Sequence, residues 1–133
     1  SSRYSKTQSK LTEKIHNKTV IEHTIAAFDT HKHIQTIIIA CPESEKENFE
    51  KIKGFTKTPI IITSGGASRA ESVYNGFKCI SKATYVLIHD AARPNITQSL
   101  ISDVIKALNN HPVVIPGTNV TDTIKRVPAR RAP

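Results

Sequence analysis

Short apolar runs alternate along this chain with segments whose apolar residues recur at the spacing of an α-helix. Runs that are short, rich in β-branched residues and free of polar alternation are typical of strands buried on both faces of a sheet. Four such runs are found, at residues 36–41, 60–62, 85–88 and 112–115. This alternation predicts right-handed crossovers and an α/β fold of three layers, in which helices cover both faces of a mostly parallel sheet.

The helices between these strands are predicted from capping signals and apolar stripes. Thr19 and Glu22 have the spacing of a capping box, and an apolar stripe at Ile21, Ile25 and Phe28 follows them. Further helices are predicted over residues 43–53, after a second capping box formed by Ser68 and Glu71, and after a cap at Thr97. Residues 1–18 are polar and predicted to form a solvated loop. A chain that reaches its first helix from a loop suggests that a first strand is missing from these residues.

Length, composition and charge limit the class of protein. With 133 residues, of which 38% are hydrophobic and 23% charged, the chain suits one globular domain. No apolar run is as long as a membrane span, so no membrane partner is expected. The net charge of +8 favours an anionic partner, either a phosphorylated small molecule or a nucleic acid. Cys41 and Cys79 lack CxxC spacing and are expected to be reduced core thiols in a cytoplasmic protein.

Both ends of the sequence suggest truncation. The chain contains no methionine, and its last residues are rich in arginine and proline. We expect an incomplete domain over residues 1–127 and a basic tail over residues 128–133, whose native status stays open. Because a sheet without a central strand exposes edges and apolar surface, we expect marginal stability or aggregation.

Candidate site residues follow two of the predicted strands. Gly65 and Gly66 lie between a strand and a helix, where backbone N–H groups can face a ligand. Asp90 follows the strand at residues 85–88, and an aspartate there can hold a divalent metal ion. Ligands of open parallel sheets bind at this carboxyl edge. The alternatives are that the glycines form a plain turn and that Asp90 only caps its loop and pairs with Arg93.

Residues 89–94, His-Asp-Ala-Ala-Arg-Pro, resemble the signature of the 2-C-methyl-D-erythritol 4-phosphate cytidylyltransferase family. Three other stretches are similar to motifs of that family in the same order. They are the opening nucleotide loop with Arg3 and Lys10, the base-reading motif at residues 65–73, and the start of a dimerisation arm at residues 122–126. The resemblance spans residues 2–127. It implies a Rossmann-like nucleotidyltransferase fold that lacks its first strand and its carboxyl portion.

The family resemblance also implies an activity and roles for particular residues. The enzyme would transfer CMP from CTP to 2-C-methyl-D-erythritol 4-phosphate and release pyrophosphate. Lys10 and Arg3 would be catalytic residues that bind the triphosphate, and Asp90 would help to hold Mg²⁺. The remaining implied contacts are Gly66 and Ser72 with cytosine, Ala91 with the nucleoside, and Thr123 with the sugar phosphate in the neighbouring subunit of a homodimer. Arg93 is expected to shape its loop.

Several departures from the family pattern are visible. The Ala-Ala-Gly run that opens the family's nucleotide loop is missing, and Ala67 and Asn119 stand where the family usually has an acidic residue and a proline. The missing carboxyl portion would hold further basic substrate-binding residues and most of the dimer arm. We therefore expect this chain alone to be inactive or nearly so.

Other functions stay open at this stage. A related enzyme that cytidylylates ribitol phosphate shares most motifs, although it more often has valine in place of Ala92. A non-catalytic nucleotide-binding remnant is compatible with Ala67 and with the truncations. A basic nucleic-acid-binding module is compatible with the charge, but the few aromatic residues fall mostly in predicted core elements and no recognition motif is present. We therefore expect no nucleic-acid partner.

Overall fold

A computed structural model describes residues 10–123 and residue 125. Its strands and helices, in chain order, are β1 (Lys14–Ile15), β2 (Lys18–Thr19), α1 (Val20–Asp29), β3 (Ile37–Cys41), α2 (Lys46–Glu50), β4 (Ile60–Ser64), α3 (Arg69–Phe77) and α4 (Gln98–Leu108). Short 3-10 turns cover Lys10–Thr12, Glu43–Glu45 and Lys51–Phe55. The predicted helix over residues 43–53 is therefore a succession of 3-10 and α segments that extends to Phe55.

Parallel pairing of β3 with β4 forms the sheet at the centre of the domain. Ile37 lies opposite Ile60 and Cys41 lies opposite Ser64. The Ile37 N–H donates to the Pro59 carbonyl over 2.9 Å at one end of the ladder. Two parallel strands joined by a helical segment, with further helices packed on them, agree with the predicted α/β class.

Two predicted strands are not strands in the described part of the chain. Residues 85–88 and 112–115 have no regular secondary structure, and several of their apolar side chains are largely exposed. The exposed fraction is 59% for Ile88 and 85% for Ile115. An apolar β-branched run can form a strand only when a neighbouring strand accepts its backbone hydrogen bonds. These two runs have the composition of strands without such a neighbour.

A complete capping box starts α1, as predicted. The Glu22 N–H donates to the Thr19 hydroxyl over 3.3 Å, and the Thr19 N–H donates to the Glu22 carboxylate over 2.6 Å. The backbone hydrogen bond from Thr19 is the main reason why the pKa of Glu22 lies below its usual value. Thr19 and Glu22 therefore each accept the backbone N–H of the other at the start of the helix.

A small hairpin precedes α1 where only a solvated loop was predicted. Strands β1 and β2 pair antiparallel around His16 and Asn17, whose φ angles of 47° and 66° are typical of a two-residue hairpin turn. The imidazole of His23 shares a hydrogen bond of 2.8 Å with the Ile15 carbonyl and fastens the hairpin to α1. Asparagine adopts positive φ more readily than most residues, so Asn17 was the one indication of this turn in the sequence.

The hydrophobic core lies between α1, the two parallel strands and α2. Its buried members are Ile21, Ile25, Ile39, Cys41, Phe49 and Ile60. The thiols of Cys41 and Cys79 are both free, and burial raises the pKa of Cys41. Among the described residues, no helix has the length and apolar character needed to cross a bilayer.

His31 connects the end of α1 to α4. Its Nδ1 accepts from the His33 N–H over 3.3 Å, so the neutral ring carries its proton on Nε2 and donates to the Ser102 hydroxyl over 3.0 Å. The side chain is buried, and this burial is the main cause that lowers the pKa of His31. Protonation of Nδ1 would place an N–H against an N–H and would break the contact with His33.

Stability is expected to fall as the pH falls below the ordinary histidine pKa of about 6.5. Below that pH, His31 binds a proton in the unfolded chain but stays neutral in the folded chain, because its folded pKa is lower. The free energy of unfolding therefore decreases until the pH falls below the folded pKa. Thermal unfolding measured from about pH 7.5 down to about pH 5 should show this decrease. His31→Gln should flatten it, whereas a substitution of the exposed His111, His111→Gln, should leave it intact. An unchanged slope in His31→Gln would contradict this assignment.

Candidate functional site

The loop after residues 85–88 is closed by hydrogen bonds around Asp90. The Asp90 carbonyl accepts from the Arg93 N–H over 3.0 Å, and its carboxylate accepts from the Ala92 N–H over 3.1 Å. The other carboxylate oxygen lies 3.5 Å from Nε of Arg93, and both side chains are well exposed. Asp90 therefore does cap its loop and pair with Arg93, while one face of its carboxylate remains open to solvent.

Helix α1 holds this loop in place. The buried Thr24 hydroxyl lies 2.8 Å from the Ala91 carbonyl and 3.0 Å from the carbonyl of Val20 in its own helix. The ring of His89 packs against Phe28 with 5.2 Å between ring centroids. The loop that contains Asp90 is therefore positioned from α1 and does not depend only on its own turn.

The glycine loop lies at the carboxyl end of β3. The Gly65 N–H donates to the Cys41 carbonyl over 2.7 Å and so extends the β3–β4 ladder by one bond. The Gly66 N–H donates to the Ser72 hydroxyl over 2.9 Å, and that hydroxyl donates to the Ser68 carbonyl over 3.0 Å. These bonds fold the loop back onto the first turn of α3.

Gly66 is required by a close approach to Glu71. A Cβ placed on Gly66 would lie 2.3–2.6 Å from three side-chain atoms of Glu71. The Glu71 carboxylate accepts from the Ala67 N–H over 2.8 Å, and the Glu71 N–H donates to the Ser68 hydroxyl. The predicted capping box is therefore only half correct, since the carboxylate reaches back to residue 67 instead of to the cap at Ser68.

One cavity of about 990 Å³ brings together several of the predicted site residues. Asp90 and Ala91 line it from their loop, and Ser72 lines it from α3 together with Arg69. Gly66 is bound directly to Ser72. Residues of the two sequence motifs, far apart in the chain, therefore line the same cavity. Nucleotides bind at the carboxyl ends of the strands in folds of this class.

The other predicted site residues lie elsewhere. Lys10 is in an exposed 3-10 turn that precedes the hairpin, and it does not line the cavity. Thr123 is exposed, has no regular structure and does not line the cavity either. Arg3 lies outside the described residues.

The described residues fit Mg²⁺ only in a limited way. They contain no cluster of three or more His, Cys, Asp or Glu side chains that could enclose a metal ion. Asp90 offers a single carboxylate whose oxygens are partly used by the Ala92 N–H and Arg93. Mg²⁺ is commonly bound by one or two carboxylates with phosphates and water completing its octahedron, and Asp90 fits that arrangement.

Sequence reasoning missed two residues that shape the site. Thr24 falls at the i, i+3, i+4, i+7 spacing of the apolar stripe on α1. This spacing places its hydroxyl on the buried face of the helix, which is a weak indication of a role for the side chain in packing or hydrogen bonding. Glu71 was assigned to helix capping, and its contact with the glycine loop depends on a backbone approach that the sequence does not encode locally.

Comparisons with known proteins point to one family. The model of the 2-C-methyl-D-erythritol 4-phosphate cytidylyltransferase family matches residues 1–132. The chain is 40% identical to such an enzyme of Bacillus cereus, over 81% of this chain and 49% of the relative. It is 35% identical to that of Haemophilus ducreyi, over 84% and 49%. The chain thus spans about half the length of the curated relatives it matches.

A solved structure agrees with these relatives. The crystal structure of 4-diphosphocytidyl-2C-methyl-D-erythritol synthase from Anaerococcus prevotii is similar to this chain with a TM-score of 0.81 and 26% identity. The similarity covers 86% of this chain and 51% of that one. The predicted α/β nucleotidyltransferase fold is thereby confirmed.

Gly66→Ala is expected to destabilise the protein by roughly 1–3 kcal/mol, because the added methyl group forces Glu71 away from the loop. Chemical denaturation measures this loss. Gly54 is the matched control, since a Cβ there would meet nothing within 4 Å. Gly54→Ala should be neutral or slightly stabilising, and equal effects of the two substitutions would refute the steric argument.

Thr24→Val is expected to cost about 1–3 kcal/mol of stability, because it keeps the shape of the side chain but leaves the Ala91 carbonyl without its donor. Amide hydrogen exchange should accelerate in the loop that contains Asp90. Thr24→Ser keeps the hydroxyl and should preserve the slow exchange. If the loop exchanges equally in both variants, the hydrogen bond does not position it.

Proposed function

Because this chain belongs to the 2-C-methyl-D-erythritol 4-phosphate cytidylyltransferase family, we propose that the complete protein transfers CMP from CTP to 2-C-methyl-D-erythritol 4-phosphate and releases pyrophosphate. The observation that supports this most directly is the match of residues 1–132 to the family, together with the cavity that Ser72 and Asp90 both line. The relatives that match are named for this activity.

The reaction needs positioned charge more than covalent chemistry. A phosphate oxygen of the sugar phosphate attacks the α-phosphorus of CTP, the bond to the β-phosphate breaks, and pyrophosphate leaves with its negative charge. Groups that neutralise charge on the phosphates and hold the reactants in line therefore contribute most. The net charge of +8 is compatible with such a polyanionic substrate.

We assign the cations of the opening segment to the triphosphate. Lys10 and Arg3 would bind the phosphates and stabilise the charge that develops on them, as the family resemblance implies. Lys10 is exposed in the 3-10 turn that precedes the hairpin. Arg93 shapes the loop of Asp90 in this proposal, because its N–H and its side chain are both directed at that residue.

Asp90 would hold Mg²⁺ through the open face of its carboxylate. The ion, when bound, supplies positive charge between the phosphates. Ala91 lies beside Asp90 and lines the same cavity, so a nucleoside held there would contact its small side chain. The hydrogen bond from Thr24 of α1 to the Ala91 carbonyl fixes this part of the loop before any ligand arrives.

The glycine loop would recognise cytosine. The Ser72 hydroxyl already donates to the Ser68 carbonyl and accepts from the Gly66 N–H. We therefore propose that Ser72 contributes to base recognition chiefly by orienting the peptide groups of the loop. The absence of a side chain at Gly66 makes room for Glu71, whose carboxylate accepts from the Ala67 N–H and holds the loop in place.

We further propose that the complete protein is a cytoplasmic homodimer in which Thr123 reaches the sugar phosphate in the neighbouring subunit. This chain alone is then expected to show little or no turnover, since it spans about half the length of its relatives. The exposed, irregular course of the chain at Thr123 is compatible with a segment that packs against another subunit.

Asp90→Asn in the complete protein should lower turnover by about a hundredfold or more, because it removes the negative charge that would bind Mg²⁺ while keeping the shape of the side chain. The measurement is pyrophosphate release from CTP with 2-C-methyl-D-erythritol 4-phosphate and Mg²⁺. Asp103→Asn alters an exposed aspartate on α4 and should leave turnover unchanged. Unaltered activity of Asp90→Asn would reject the role of Asp90. Absence of pyrophosphate release by the unsubstituted complete protein would reject the activity.

A further inference from the structure

Helix α1 holds a second segment besides the loop that contains Asp90. This segment covers residues 10–19 and comprises the 3-10 turn Lys10–Thr12 and the hairpin of β1 and β2. Both the turn and β2 contact α1, and none of these residues lines the cavity described above. The segment begins with the lysine that we assign to the triphosphate.

Packing of its own side chains does not hold the hairpin against the domain. None of the four residues in β1 and β2 is buried, and Ile15 is 43% exposed. The two positive φ angles of the turn and the antiparallel pairing fix the shape of the hairpin. They do not fix its place, since a unit without a buried side chain gains little from removing apolar surface from water. The place of the hairpin therefore depends on its polar contacts.

Two hydrogen bonds connect the hairpin to α1. The Val20 N–H donates to the Glu13 carbonyl over 2.9 Å at the base of the hairpin. One turn further into the helix, Nε2 of His23 lies 2.8 Å from the Ile15 carbonyl oxygen. Because a carbonyl oxygen only accepts, this nitrogen carries a proton and donates. The second bond comes from a side chain and can be removed by a substitution.

The turn that contains Lys10 has one further anchor. Leu11 is half-buried and packs against the core cluster. A single apolar contact fixes the place of the turn but leaves it free to rotate about that contact. The bond between His23 and the Ile15 carbonyl, four residues further along the chain, removes this freedom. The orientation of the backbone at Lys10 therefore depends on both anchors.

His23 and Thr24 are consecutive residues of α1 that hold different segments. Successive residues of a helix point about 100° apart, so neighbouring side chains can reach opposite sides of it. His23 reaches the hairpin, and Thr24 reaches the loop that contains Asp90. One helical turn thus sets the relative placement of Lys10 and Asp90, to which the proposed function assigns the phosphates and Mg²⁺.

We propose that His23 is a positioning residue for the transfer reaction and acts on Lys10 through the Ile15 carbonyl and the hairpin. Catalysis of this kind depends on the placement of charge around the phosphates, and a displacement of about 1 Å can lower a rate by about a hundredfold. The effect expected here is smaller, about tenfold, because Leu11 remains as an anchor. The inference rests on the proposed function, from which it takes the role of Lys10.

The test compares two substitutions of His23 in the complete protein. His23→Leu removes the donor, whereas His23→Gln keeps one, because its amide nitrogen is as many bonds from the backbone as Nε2 of the imidazole. The affinity for CTP in the presence of Mg²⁺, measured by calorimetry, should fall about tenfold in His23→Leu and stay within about twofold in His23→Gln. His111→Leu alters an exposed histidine beyond α4 and should leave the affinity unchanged.

A double-substitution cycle with Lys10→Ala separates this role from general support of the fold. If His23 acts through Lys10, His23→Leu should weaken CTP binding by less than about twofold once the lysine side chain has been removed. A residue that only supports the fold would cause the same loss of affinity in both backgrounds.

The proposal is overturned if His23→Leu binds CTP as tightly as the unsubstituted protein, if its loss of affinity is the same with and without Lys10, or if His23→Gln does not restore binding. A His23→Leu variant that does not fold would overturn it as well, because the ring would then support the whole domain. Failure of the proposed function gives a different result. The unsubstituted complete protein would then bind no CTP, and the role of His23 would fall with it.

Discussion

The parallel pairing of β3 with β4 is the interaction on which the rest of this structure depends. The two strands contribute half of the buried core cluster, through Ile39, Cys41 and Ile60. The ladder also continues into the glycine loop, because the N–H of Gly65 binds the last carbonyl of β3. The position of that loop, and with it the first turn of α3, is therefore fixed by strand register. A shift of one residue in this register would turn the buried side chains outward and displace the candidate site at the same time.

Helix α1 positions the second half of the candidate site, which is the loop that contains Asp90. Thr24 and Phe28 hold the loop of Asp90 from the side. At the carboxyl end of the helix, the Asp29 carboxylate accepts from the N–H groups of Lys57 and Thr58 over 2.8 and 2.6 Å, just before β4 begins. One helix thus contacts both the residues just before β4 and the loop that contains Asp90. The two loops of the site share a common support, although they are distant in the sequence.

Local signals in the sequence predicted the helices well and the strands only in part. The capping residues Thr19, Ser68 and Thr97 each bind the N–H group that their spacing indicated. Residues 85–88 have the composition of a buried strand. Composition indicates a preference for burial, but a strand also needs a neighbouring strand to accept its backbone hydrogen bonds. The contacts of Thr24 and Glu71 with the site loops join residues through tertiary packing. No local pattern encodes such contacts, and the roles of Lys10, Arg3 and Thr123 stay predictions for the same reason.

In the part of the chain that the structure describes, β3 pairs with β4 alone, and its direction restricts how copies of this chain can associate through its other edge. Two identical edges that continue one sheet across a two-fold axis meet antiparallel, because the axis reverses the direction of the strand. A symmetric pair of chains joined through this edge would therefore place an antiparallel pair of strands at the centre of a sheet whose other pairing, β3 with β4, is parallel.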